Sequence, residues 1–237
     1  MVLLKKILAT IITLILTMSI ASTAMAQATV VYGEMAQDSA QIYQKARSLF
    51  GRRSFNGYCG AYVKHQLRAM GIFEGRNDAS GNGNEWYGAF ENISKTSGGY
   101  YVHRESGNDC LEKLAQKYGN NLENIVLSFP IQSGYSARYP GAGHALVIRY
   151  LIDGVAYYSE SFSYGGLREG QLVMEDAKEM IERYNRRHGT ALGCVYFSKD
   201  DISLNGELTL EDEIIAELEN MSDFVVCAQE FINRAIA

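Results

Sequence analysis

Two apolar runs, His144–Ile152 and Val155–Phe162, flank the dipeptide Asp153-Gly154. Asp-Gly between two such runs is a hairpin signal, because a two-residue turn needs left-handed backbone that Gly and Asp tolerate. The chain must therefore hold antiparallel sheet. Ile125–Phe129 reads as a further buried strand, Gly193–Ser198 as a last one, and Gly99–Val102 as the start of a short one. Ahead of the hairpin the apolar period is helical. Met35, Ile42, Tyr43, Ala46, Leu49 and Phe50 follow it as far as Gly51. Cys59, Tyr62, Val63, Gln66, Leu67 and Met70 share one face of a second helix, which Gly71 closes. Shorter helices are expected over Glu85–Ile93, Asp109–Tyr118 and Met174–Asn185. Helical segments together with an antiparallel hairpin predict an α+β fold, with N-terminal helices packed on an antiparallel β-sheet.

The two ends of the chain read differently from its body. Lys5 and Lys6 precede an apolar run from Ile7 to Ile20, and Ala24-Met25-Ala26 is a small-x-small cleavage triplet. Residues 1–26 are thus expected to be a secretory signal peptide. The protein would then be secreted, extracellular or periplasmic, with no membrane segment in its mature form. Residues 200–237 form an acidic extension with ten Asp and Glu against one base, Arg234. Thr209 with Asp212 resembles a capping box, and Ile214, Ile215, Leu218, Met221, Val225 and Phe231 suggest C-terminal helices. The extension is expected either to dock on the body, residues 27–199, or to act as a lid or inhibitory strap. The whole chain carries Lys+Arg 22 against Asp+Glu 27, a formal charge of -5. That balance argues against nucleic acid as a partner. It leaves the oligomeric state open.

Chemistry points to Cys59. It follows a Gly-containing loop and opens a helix, where unpaired N–H groups and the helix dipole favour thiolate. A thiolate nucleophile needs a base. Of the four histidines, His65 lies on another face of the same helix, His103 has no catalytic context, and His188 sits in a basic turn after a helix. His144 stands between the flexible Gly141-Ala142-Gly143 and an apolar strand, a position that presents an imidazole to a cleft. A third group should orient that ring. Glu160 on the partner strand lies within a residue or two of His144 across the hairpin. No cysteine or Cys/His spacing suggests a metal site. With Cys59 as a working thiol, the pairing among Cys110, Cys194 and Cys227 stays open.

At these residues the chain resembles the CHAP family, the cysteine- and histidine-dependent amidohydrolase/peptidase domains of the NlpC/P60 and papain-like group. Gly57-Tyr58-Cys59-Gly60-Ala61-Tyr62-Val63 is similar to the family's Cys-x-x-Tyr-Val helix start. Gly81-Asn82-Gly83-Asn84-Glu85-Trp86 resembles its Gly-Asn-Ala-x-x-Trp segment, and Asn124–Phe129 the strand before the histidine loop. Gly143-His144-Ala145-Leu146-Val147-Ile148 resembles Gly-His-Val-x-x-Val. Ser159-Glu160 with Tyr164-Gly165-Gly166 resembles Ser-Glu-x-Asn-Tyr-Gly-Gly, except that Phe162 and Ser163 stand about the family's Asn. The likeness spans roughly residues 40–199.

The resemblance implies a papain-like/NlpC-P60-like fold and a hydrolase of peptide or amide bonds, usually in peptidoglycan, working as an amidase or endopeptidase. Cys59 would attack, His144 would exchange the proton and Glu160 would steady the imidazolium. The Cys59 N–H and the Asn56–Tyr58 loop, Asn56 included, are the expected oxyanion donors. Ser161 or Ser163 would supply a fourth polar group, and Tyr58 and Trp86 would line the substrate cleft. No metal or cofactor is needed. A secreted protease acting on proteins and a non-catalytic CHAP-like binding module are the alternatives.

Overall fold

The computed structural model describes residues 29, 31–75, 79, 81–131, 140–161 and 169–200. The expected signal peptide, Ser163, the Tyr164-Gly165-Gly166 run, Cys227 and nearly all of the acidic extension lie outside the described residues. The described residues up to Lys199 make one compact unit.

Helix α1 covers 31–50 and α2 covers Cys59–Ala69. Strand β1 (Tyr101–Ser106) leads to α3 (Cys110–Tyr118), and then β2 (Asn121–Phe129), β3 (His144–Ile152) and β4 (Val155–Ser159) follow. Strand β5 (Val173–Asp176), α4 (Ala177–His188) and β6 (Gly193–Ser198) complete the body. The six strands form one sheet in the order β1-β6-β2-β3-β4-β5, and every pairing is antiparallel. The body is therefore α+β, with four α-helices among the described residues.

Side-chain alternation assigns each sheet face a helical layer. Val126, Ala145, Val147, Val195 and Phe197 point into one cluster with Ala46 of α1 and Tyr62, Val63 and Leu67 of α2. The opposite face meets α3 and α4. Tyr118 of α3 packs on Tyr196 with ring centres 5.7 Å apart, and Tyr184 of α4 stacks on Phe129 at 5.4 Å. The central strands β2 and β3 are covered on both sides, which is why they read as near-continuous apolar runs rather than alternating ones. Each large apolar side chain buried in these layers contributes about 1.5–3 kcal/mol.

Three expected elements differ. Glu85–Ile93 forms turns around a single 3-10 turn at Gly88–Phe90, not a regular helix. Met174–Asn185 is split: Val173–Asp176 is an edge strand on β4, and the helix starts only at Ala177. Asp176 sets that boundary. Its carboxylate accepts the Lys178 and Glu179 N–H groups at 3.0 Å each, an N-cap that stops the helix from extending backwards. Strand β4 ends at Ser159 and not at Phe162.

The hairpin carries one irregularity that matters for the site. Its turn sets Ile152 opposite Val155, but the register slips by one between Ile148 and Tyr150, so that Val147 faces Ser159. A one-residue slip moves every later side chain to the other face of the sheet. Continued from Ser159, the slipped register sets Glu160 opposite Leu146, on the His144 face; without it Glu160 would fall opposite Val147, among the α1–α2 core residues. Arg149 occupies the bulge. It is buried, and its guanidinium reaches Asp38 of α1 at 2.8 Å, with Asn124 and Met70 also in contact.

Candidate active site

Cys59, the first residue of α2, and His144, the first residue of β3, meet at one end of the sheet. Both are buried, with 5% and 3% exposure, as is Glu160 with 9%. The Glu160 carboxylate sits 2.8 Å from His144 Nε2. A carboxylate accepts only, so Nε2 carries a proton, and the nitrogen left for sulfur is Nδ1. Cys59 Sγ lies 3.9 Å from the carbonyl of Gly143, the residue before His144. The expected order of sulfur, imidazole and carboxylate is present.

The electrostatics follow from this geometry. Burial alone would push the Cys59 thiol up. The His144 ring, by hydrogen bond and charge, and the N–H groups of Ala145 and Gly60 outweigh burial and hold the thiol below its ordinary range. Burial would likewise push the His144 imidazole down, yet hydrogen bonds and charge from Cys59 and Glu160 raise it to about 9. Helix α2 has no side-chain N-cap and no acid in its first turn, so its positive end is left for the thiolate. A thiolate–imidazolium pair is the form these groups favour near neutrality.

Close backbone packing fixes the spacing. Gly60 lies against the carbonyl oxygen of Gly81, where a Cβ would overlap it. A Cβ on Gly83 would come within 2.5 Å of the His144 backbone. Asn84 then braces the loop before His144, through its N–H to the Ala142 carbonyl at 3.1 Å and its amide to the Gly141 carbonyl at 2.7 Å. The Gly81-Asn82-Gly83-Asn84 segment is thus a spacer wedged between nucleophile and base.

Other expected site residues are placed differently. Trp86 is 0% exposed, with Phe73 and Phe90 stacked about 6.3 and 6.2 Å away, so it is core and lines no cleft. The largest apolar side chain gains most from full burial. Asn56 faces solvent with its amide oxygen held by Ser54. The Cys59 N–H is engaged with the Gly57 carbonyl at 2.9 Å, so it is not free as an oxyanion donor; the tight turn into α2 claims it. Ser161 is buried, but its hydroxyl makes no hydrogen bond among the described residues and does not join the triad. Tyr58 is 57% exposed beside the nucleophile and is open to a substrate. Among the described residues no group of three or more His, Cys, Asp or Glu gathers to hold a metal ion.

The structure adds residues that sequence reasoning passed over. His188, expected in a basic turn after a helix, is instead the last residue of α4 and fully buried, stacked on His144 at 4.4 Å. Tyr184 stacks on the same ring at 5.8 Å. Glu169 accepts the Phe55 N–H at 2.6 Å, and the neighbouring Gly170 N–H donates to the Glu160 carbonyl at 3.1 Å. That segment ties the loop entering Cys59 to the backbone of Glu160. Tyr62 donates its hydroxyl to Ser159 at 2.6 Å, joining α2 to the end of β4. A helical i, i+4 pair, Tyr184 and His188, was the one available signal in the sequence. Comparison of the chain with family models, curated proteins and solved structures gives no match.

Proposed function

We propose that the protein is a secreted cysteine hydrolase that cleaves amide or peptide bonds in peptidoglycan, built on a papain-like/NlpC-P60-like body of CHAP type. The observation that carries the reading is the buried Cys59–His144–Glu160 line, with the thiol held low and the imidazole held high. The Cys59 thiolate attacks the scissile carbonyl and forms a tetrahedral adduct. His144 Nδ1–H gives its proton to the leaving amine as the C–N bond breaks, which leaves a thioester on Cys59. His144, now neutral, takes a proton from water as the water attacks the thioester, and the product acid leaves. Glu160 holds the ring through Nε2 in both halves. The motif likeness over roughly residues 40–199 supports wall peptides as substrate.

The test is mass spectrometry of the products from purified peptidoglycan incubated with the protein. Matched new amine and carboxyl ends are expected, and Cys59→Ala and His144→Ala are expected to abolish them while circular dichroism stays unchanged. Equal cleavage by a folded Cys59→Ala variant sinks the reading. Cleavage of a peptide library in preference to murein redirects it to a protease of proteins.

A further inference from the structure

We propose that His188 is a positioning residue that acts through His144, a neutral imidazole laid flat on that ring to fix the plane in which it meets Cys59. The proposal rests on the reading of Cys59 and His144 as a working pair. Among the described residues three rings bound the His144 imidazole. His188 lies 4.4 Å away with an interplanar angle of 17°, Tyr184 5.8 Å away at 8°, and Phe129 6.4 Å away at 28°. Tyr184 and His188 are one helical turn apart, so one face of α4 presents both. Rotation of His144 out of its plane would drive it into these neighbours.

His188 is itself locked. Its Nδ1 lies 2.9 Å from the Ile131 carbonyl, which only accepts, so Nδ1 carries the proton. Ile131 returns the contact, its N–H donating to the His188 carbonyl at 2.9 Å. Ile131 stands two residues past Phe129, which pairs with His144 across the sheet. The last residue of α4 is thereby pinned to the exit of β2, next to the strand end that carries the base.

Charge is the second part. A cation at 188 would face the His144 imidazolium at ring contact. Burial, the His144 charge and the nearby Arg187 push the His188 imidazole down to about 4, which keeps it neutral from there up to about pH 9, the range in which His144 alone is charged. Of the other groups packed there, Tyr184 is neutral because burial and Glu160 push its phenol up, and Phe129 carries no charge. Glu160 is committed to His144 Nε2. An aromatic ring that stacks, is tethered to β2 and stays uncharged is what this position holds.

The experiment uses the full chain without substrate. The pH dependence of Cys59 alkylation by iodoacetamide reports thiolate, and NMR titration of the His144 ring reports the base. In His188→Ala the acid limb of alkylation should move up by roughly one pH unit, towards an ordinary thiol, as His144 loosens. His188→Phe should bring it back, because it keeps a flat neutral ring. His188→Arg should lower the His144 titration by roughly one unit through charge repulsion. Unmoved profiles in all three variants overturn the proposal, as does a failure of His188→Phe to restore the limb. If His188→Ala does not fold, superimposed His144 titrations of His188→Phe and His188→Arg overturn it alone. Neither readout involves peptidoglycan, so an absence of wall cleavage would refute the substrate and leave this test standing.

Discussion

At the scale of single residues, the site is defined by two opposed shifts. The Cys59 thiol is held low and the His144 imidazole is raised to about 9, so the ion pair spans the interval between them. Hydrolysis should therefore follow a bell-shaped pH profile. It falls on the alkaline side as His144 loses its proton near 9, and on the acid side as the thiolate is protonated. Both limbs belong to the coupled pair and not to either group alone. Glu160→Gln removes a carboxylate that raises His144, so the alkaline limb should move to lower pH and kcat should drop by roughly 10²–10⁴. Measurement of kcat/KM from pH 4 to 10 checks both; an unmoved alkaline limb in Glu160→Gln would detach the carboxylate from the base. Cys59, His144 and Glu160 were legible because each carries its own local signal: a helix start, a glycine-flanked strand start, a hairpin partner. His188 was not. Its neighbours Arg186 and Arg187 mark an ordinary helix end, whereas its partners come from β2 and β3, far along the chain. Trp86 was misread for a related reason. A motif match fixes a residue's place in the chain, not the direction in which its side chain points, and here that direction is the core.

Among the elements, the bulged hairpin decides whether a triad exists. The Asp153-Gly154 turn alone would put Glu160 on the wrong face, and the slip at Arg149 corrects it. Arg149 holds the bulge by its ion pair to Asp38, where the carboxylate is 45% exposed and the guanidinium side chain only 8%. Loss of hydrogen bonds to a charged group costs about 2 kcal/mol. Arg149→Met should thus destabilise the fold by about that amount in urea, with part of the loss taken at the site. The His144 titration should shift down along with stability, because the anchor of Glu160 is loosened. A shift in stability with His144 unmoved would show that the bulge is not what positions Glu160. The sequence carried the two strands and their turn, but not the slip, since a bulge follows from Arg149 reaching a partner on α1. The edge strand β5 was hidden likewise. Val173–Asp176 reads as the start of a helical stripe, and only pairing with β4 and the Asp176 cap separate it. The spacer glycines give a sharper test of element packing. Gly83→Ala presses a methyl into the His144 backbone and should cut kcat by roughly 10²-fold through misplacement of the base. A comparable substitution at the solvent-open Gly88 should leave kcat unchanged.

For the whole molecule, the question is what holds the α3–α4 layer to the sheet. Cys110 opens α3 and Cys194 lies in β6; both are fully buried. Burial pushes the Cys194 thiol well up, with the hydrogen-bonded thiol of Cys110 adding to it. Both sulfurs are thus in contact on the sheet face that meets α3, whereas Cys59 opens α2. In an oxidising compartment a disulfide-bearing oxidant would exchange with the pair. One S–S bond would form, and the two electrons and two protons would pass to the oxidant's own sulfurs. Protein exposed to such an oxidant should then be two hydrogens lighter than the reduced chain, with Cys110 and Cys194 in one cross-linked peptide under non-reducing digestion. Closing a loop of this length stabilises by roughly 4.6 kcal/mol at the entropic limit, so mild reduction should lower Tm while leaving Cys59 alkylation intact. Recovery of both thiols from protein so treated, or a cross-link that includes Cys59, would contradict this. The pairing could not be read from spacing, because Cys110, Cys194 and Cys227 stand on equal terms until α3 is laid across β6. Fold class was legible because periodicity is a local property, whereas the layer a helix covers depends on strands not yet reached in the chain. The same logic bears on the extension. Both faces of the sheet are already covered by α1–α2 and α3–α4, helices that belong to the body itself. Truncation after Lys199 should therefore leave a soluble protein with a cooperative melt and an unaltered Cys59 alkylation profile. Aggregation of the truncated chain would mean that 200–237 supplies part of the core. A gain in hydrolysis with the alkylation profile unchanged would identify the acidic segment as a strap that restrains substrate access rather than the chemistry.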